Sequence, residues 1–188
     1  MAMELSGKGW CSRFPSSKSI GDCTEPFRSN LQRFNDALVA AGANVKIADT
    51  LRPEPRAFLM FHCCKVATGA EAPGTVPARP DIEIDWVHRN DDGTPNLAKS
   101  RAAAHDMMQG YDIAHAPALN SRHIFGEAVD MSVTWLGDLT IQRGDGSNVT
   151  ISTLPRSGDD NINLHAVGAT YGVIKLSSDP PHWSLHGN

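Results

Sequence analysis

Two short stretches of the sequence hold residues that do chemistry together. The first is Ser121-Arg122-His123-Ile124-Phe125-Gly126-Glu127-Ala128-Val129-Asp130. It sets an imidazole and a carboxylate seven residues apart, with the small residues Gly126 and Ala128 between them. Gly126 lets the backbone turn where a Cβ would clash. Asp130 then falls on a strand, on the same side as Ala128, whose small side chain leaves room above it. The second stretch is Asp179-Pro180-Pro181-His182-Trp183. Its two prolines stiffen the segment and set the separation of Asp179 and His182. Imidazole and carboxylate are zinc ligands, and a His-Asp-His set leaves the fourth position open to water, as in catalytic sites. Asp179 is then a free carboxylate beside a metal-bound water, the position of a general base. Plainer readings stand beside this one: His123 and His182 as ordinary polar residues, Asp130 as a capping or turn residue. On these residues alone both remain open.

Other residues of reactive type carry less. Of the eight histidines, His186 lies in a loose tail and reads as exposed. His115 reads as an ordinary residue, with lining a cleft as the alternative. Trp183 reads as core. Asp145, in Gly144-Asp145-Gly146, reads as a turn residue, and its spacing does not support a calcium loop. The four cysteines, Cys11, Cys23, Cys63 and Cys64, form no C-x-x-C pair. They read as small buried hydrophobes of a reducing compartment; a Cys11–Cys23 disulfide stays open. No base marks any of them as a nucleophile.

The elements that must position the two stretches follow from periodicity. Thr24-Glu25-Pro26 opens a helix with an apolar stripe at Phe27, Leu31, Phe34 and Leu38, closed by Gly42. Asn44 to Asp49 reads as a strand. A second helix starts near Pro53 and ends before Gly69, and residues 69–80 form a loop. Ile82 to Trp86 alternates as a strand. Asn96 caps a third helix running to Gly110, with Leu97, Arg101, Ala104 and Met108 along it. Glu127 to Trp135 alternates, with Ala128, Asp130 and Ser132 on one face and Val129, Met131 and Val133 on the other. Leu139–Gln142 and Val149–Ser152 flank a hairpin turn. A short helix over Asn161–Thr170 and strands at Gly172–Leu176 and His182–Leu185 complete the chain. Helices first, then mostly antiparallel strands, predict an α+β fold.

Composition agrees with a soluble globular protein. The chain has 188 residues, 40% apolar and 20% charged, which excludes disordered, collagen-like and coiled-coil classes. One domain is expected, with residues 1–25 as an irregular N-terminal arm; a core of this size buries roughly 70% of the unfolded surface without disulfides. A net charge of −4 lacks the basic footprint of a nucleic-acid binder. No apolar run approaches the ~20 residues of a membrane span. The first residues carry no basic region followed by an apolar stretch, so no secretory signal is expected and synthesis in the cytoplasm is.

The pattern Ser121-x-His123-x-x-Gly126-x-Ala128-x-Asp130, followed by Asp179-x-x-His182-Trp183, resembles the zinc peptidases of bacterial cell walls. That family comprises D-alanyl-D-alanine carboxypeptidases, D,D-dipeptidases and phage L-alanyl-D-glutamate endopeptidases. Its motifs are S-x-H-x-x-G-x-A-x-D and [DE]-x-x-H-[WFY], and every defining position is met. They span residues 121–183, and the upstream elements extend the likeness over 27–185, with a motif core at 121–185.

The resemblance implies a Hedgehog/DD-peptidase fold, helices packed on a mainly antiparallel sheet. It implies zinc on His123, Asp130 and His182, and Asp179 as the base that activates water and then protonates the leaving amine. It also implies an arginine just after the strand that follows the first helix, which binds substrate and stabilises the oxyanion. Arg52 fits that place, with Arg56 as its rival. Ser121 would bond either locally or to substrate.

The implied substrate is the peptide stem of peptidoglycan. The implied agent is a phage endolysin, a monomer that waits in the host cytoplasm until the membrane is opened and then acts on the wall. Its partners would include neither nucleic acid nor membrane. A cytoplasmic D-Ala-D-Ala dipeptidase or carboxypeptidase would share every site residue. A zinc-bearing binding domain without turnover, as in Hedgehog signalling domains, is the reading from a different class. Asp179 argues against that reading, because a structural site needs no free base.

Overall fold

The stripe Phe27, Leu31, Phe34 and Leu38 forms one helix face, and all four side chains are fully buried, as apolar residues spaced by three or four require. A computed structural model of the chain describes residues 3–114 and 116–188. Its regular elements in chain order are β1 (Glu4–Leu5), α1 (Phe27–Ala40), β2 (Asn44–Asp49), α2 (Glu54–Thr68), β3 (Ile84–Asp85), α3 (Leu97–Gly110), β4 (Ala128–Thr134), β5 (Leu139–Gln142), β6 (Asn148–Ile151), α4 (Ile162–Thr170), β7 (Ile174–Lys175) and β8 (His182–Ser184). Single 3₁₀ turns lie at Lys8–Ser12, Ile20–Asp22, Pro73–Thr75 and Arg122–Phe125. The class is α+β with mainly antiparallel sheets, as expected. No helix among the described residues is long and apolar enough to cross a membrane.

The chain gathers into two compact units that interleave in sequence: Met1–Pro15 with Pro53–Ser121, and Ser16–Arg52 with Arg122–Asn188. The N-terminal segment is therefore divided between them. It carries β1 and two 3₁₀ turns where the sequence shows no period.

In the first unit α2 packs on α3. Asn96 caps α3 by accepting from Lys99 N at 2.9 Å, and Gly69 ends α2 in the left-handed conformation at φ +80°. The core joins Trp10, Phe58, Leu59, Val66, Trp86 and Met107. Two expectations change. Ile82, Ile84 and Trp86 alternate into the core as predicted, but only Ile84–Asp85 is a strand, because β1, its parallel partner, offers two residues. On α3 the buried face is Ser100, Ala103, Ala104 and Met107, while Leu97 is 50% exposed. Small side chains on this face allow a close helix approach.

In the second unit β2, β4, β8 and β7 form one sheet in that order, every neighbouring pair antiparallel. On β4, Val129, Met131 and Val133 are fully buried. They join Phe34 of α1, Leu164 of α4 and Trp183 of β8 in one core, with the Phe34 and Trp183 rings 5.6 Å apart. β5 and β6 form the expected hairpin, in register Leu139↔Ile151. The strand expected over 172–176 shortens to β7.

Candidate metal centre

All that the site needs from the sheet follows from side-chain alternation. Val129 and Trp183 are cross-strand partners and point into the core. Their successor Asp130 and predecessor His182, also paired, therefore rise together on the opposite face. On the other side of β4, Asp130 is paired with Asp49, just past a register shift in β2. Asp49, Asp130 and His182 thus form one row across three strands.

His123 comes from the 3₁₀ turn Arg122–Phe125. Gly126 follows at φ +67°, where a Cβ would stand 3.0 Å from Thr24 N, which explains a glycine here. Two reciprocal bonds tie the turn to the end of β2: Arg52 N donates to His123 O at 3.0 Å, and His123 Nδ1 donates to Thr50 O at 2.7 Å. A carbonyl only accepts, so Nδ1 carries a proton there and Nε2 is the atom turned toward the rest of the cluster.

That nitrogen faces two further candidate ligand atoms. His123 Nε2 lies 3.1 Å from Asp130 Oδ1 and 3.2 Å from His182 Nδ1, and the last two are 3.2 Å apart. Ligands about 2.0–2.1 Å from a tetrahedral ion stand about 3.3 Å from one another, so the triangle has the size of one face of such a site. Both histidines are buried, at 1% and 5% exposure. His182 Nε2 is buried with no hydrogen-bond partner among the described residues. The three residues could hold a metal ion; two imidazoles and a carboxylate suit several divalent ions. Burial raises the Asp130 carboxyl, but hydrogen bonds from the two imidazoles outweigh it and hold the group below the ordinary range.

Asp179 is not one of these ligands. His182 N donates to Asp179 O at 3.0 Å, closing a turn around the two prolines that holds Asp179 and His182 at its ends. The half-buried Asp179 side chain forms no hydrogen bond or ion pair with the described residues.

Arg52 is buried at the end of β2. Its Nε and Nη2 both donate to Asp49 Oδ2, at 3.0 and 2.6 Å, and Nη2 lies 3.6 Å from Asp130 Oδ2. Of the two candidate arginines it is the one that contacts Asp130. Arg56 belongs to the first unit, where it donates to Cys11 O at 3.1 Å and stacks over Tyr111. Ser121 closes that same unit. Asp49 is the site residue that sequence reasoning missed; its only signal was a carboxylate three positions before Arg52.

Most of the remaining described candidates behave as read, but Cys11 is half-buried rather than buried. His186 is exposed, and Trp183 is fully buried. Asp145 Oδ1 accepts from Ser147 N and Oγ within the hairpin turn. All four cysteines are free, three of them buried, and burial pushes the Cys23 thiol up to about 11. His115 lies outside the described residues. No protein-family model matches the chain, and no curated protein matches it.

Proposed function

We propose that the chain is a zinc-dependent peptidase of the Hedgehog/DD-peptidase type that cleaves an amide bond in the stem peptides of peptidoglycan, as a phage endolysin does. The observation that carries this reading is the triangle of His123 Nε2, Asp130 Oδ1 and His182 Nδ1, with Asp179, a carboxylate that makes no hydrogen bond or ion pair with the described residues, at the other end of the turn that starts β8. Together with the two sequence motifs, this supports hydrolysis over a structural metal.

Zinc on the three ligands would polarise the scissile carbonyl and acidify a water. Asp179 takes the proton from the attacking water and returns it to the departing nitrogen. Arg52 stabilises the oxygen that gains negative charge; Asp49 occupies its Nε and Nη2 and leaves Nη1 for this role. The Arg52 Nη2 stands 3.6 Å from Asp130 Oδ2.

The test is digestion of purified peptidoglycan by wild type and Asp179→Ala, each with its zinc content determined, followed by mass spectrometry of the fragments. Cleavage by wild type and not by the zinc-loaded variant supports the peptidase, and the fragment masses name the bond. If sacculi stay intact but D-Ala-D-Ala is cut, the chain is a dipeptidase or carboxypeptidase. Failure on both substrates leaves a zinc-bearing binding domain.

A further inference from the structure

The segment that carries Asp179 and His182 is wrapped around a lysine. Lys175, the last residue of β7, pairs with Trp183 of β8, and residues 176–181 form the connection between the strands. Within it Asp179 N donates to Leu176 O, His182 N to Asp179 O, and Leu176 N to His182 O, at 3.3, 3.0 and 3.0 Å. The Lys175 ammonium donates to the same three carbonyls: Leu176 O at 2.5 Å, Asp179 O at 2.8 Å and His182 O at 3.2 Å. Each carbonyl has two lone pairs and an ammonium has three donors. One lone pair of each carbonyl therefore serves the loop, the other serves Lys175, and every ammonium donor is used.

This arrangement differs from a surface lysine resting on its own loop. Lys175 is half-buried while its neighbour Ile174 is 38% exposed, the reverse of what solvation alone would choose. The ammonium lies 5.8 Å from the centre of the Trp183 ring. Among the described residues no carboxylate forms an ion pair with it; Asp159, Asp179, Asp130 and Asp160 act from further off. A compact ammonium can aim three donors at carbonyls converging on one point, which the planar fork of arginine cannot.

We propose that Lys175 is a positioning residue whose ammonium clamps the backbone of residues 176–182 and so holds His182 Nδ1 and the Asp179 carboxylate in place for the metal. The role at His182 rests on the metal-site reading and the role at Asp179 on the peptidase reading. Without the clamp the loop keeps its three backbone bonds but loses the centre that ties its carbonyls together, and His182 loses its fixed bearing toward His123 and Asp130.

The experiment compares wild type, Lys175→Met and Lys175→Gln by zinc titration against a chromophoric chelator, by thermal unfolding with and without zinc, and by turnover of peptidoglycan. Lys175→Met is expected to bind zinc about 10–100-fold more weakly, the usual size for loss of a group that orients a ligand, with a smaller rise of Tm on adding zinc. Lys175→Gln, which keeps two donors, falls between. A folded variant of either kind with wild-type zinc affinity overturns the proposal. So does a loss of Tm that is the same with and without zinc, or a failure of both variants to fold, since either makes the lysine merely structural. Zinc affinity and Tm are read without substrate. Absence of turnover in wild type therefore ends the peptidase reading and leaves the clamp on His182 standing. Absence of zinc binding by wild type ends the metal-site reading and the clamp with it.

Discussion

Asp130 on β4 and His182 on β8 stand directly opposite one another across antiparallel strands, with Oδ1 and Nδ1 3.2 Å apart. Their register is held from the far face of the sheet, where the neighbouring pair Val129 and Trp183 is fully buried. A slip of one residue would turn the carboxylate into the apolar core and bring Val129 out, so the hydrophobic core enforces the alignment of the two candidate ligands on the opposite face. Replacement of a ligand should therefore remove metal without undoing the sheet. His123→Ala, Asp130→Ala and His182→Ala should each purify with substoichiometric zinc and near-native circular dichroism, while wild type carries one ion per chain. Full occupancy in any of the three would take that residue out of the set.

Asp179 lies outside the triangle, so its substitution separates binding from chemistry. Asp179→Asn should keep its zinc and lose about 10²–10⁴-fold in peptidoglycan turnover, the range for a general acid–base group. Loss of zinc in parallel with turnover would give Asp179 a structural role instead.

Asp49 holds Arg52 from the side, with both Nε and Nη2 on one oxygen. Asp49→Ala leaves a buried guanidinium with only the longer contact to Asp130, 3.6 Å away. The expected cost is about 1–3 kcal/mol, as for a buried polar group stripped of its partner, read from the urea unfolding midpoint. Turnover should fall while zinc stays bound. An unchanged midpoint would mean that Asp49 contributes nothing to holding Arg52.

Acid should weaken the metal-free protein through Asp130. Burial raises this carboxyl and the imidazoles of His123 and His182 lower it further than burial lifts it. A group depressed in the folded state stabilises fully above its unfolded value, ~3.9 for aspartate, and that contribution is lost as pH falls through the folded value. The stability advantage of metal-free wild type over Asp130→Asn should thus hold from neutral pH to about pH 4 and shrink below it. An advantage independent of pH would show that the carboxylate charge is not what the imidazoles stabilise.

Gly126 turns the chain out of the His123 turn at φ +67°, and a Cβ there would meet Thr24 N at 3.0 Å and Asp22 O at 3.3 Å. Both neighbours are backbone and cannot swing away. Gly126→Ala should cost at least the 1–2 kcal/mol of left-handed strain, or about that order, and lower the thermal midpoint together with zinc affinity. An alanine variant with wild-type values would mean that the turn relaxes freely.

Much of this was legible in the sequence because it is local. Helix α1, the capped start of α3 at Asn96, strand β2 and the two faces of β4 all follow from periods and caps within a few residues. His123, Asp130 and His182 could be singled out by residue type and spacing. What remained closed depends on partners distant in the chain. The length of β3 depends on what β1 offers it, and the buried face of α3 on the helix packed against it. The contact of Arg52 with Asp130, and the entry of Asp49 into the site, come from the pairing of β2 with β4, which sets Asp49 beside Asp130. Lys175 reads in the sequence as one more charged residue in a short strand; only the return of the chain through residues 176–182 brings three carbonyls around its ammonium. Local periodicity selects which side chains share a face. Which atoms meet is decided by strand register and loop closure, which no segment contains by itself.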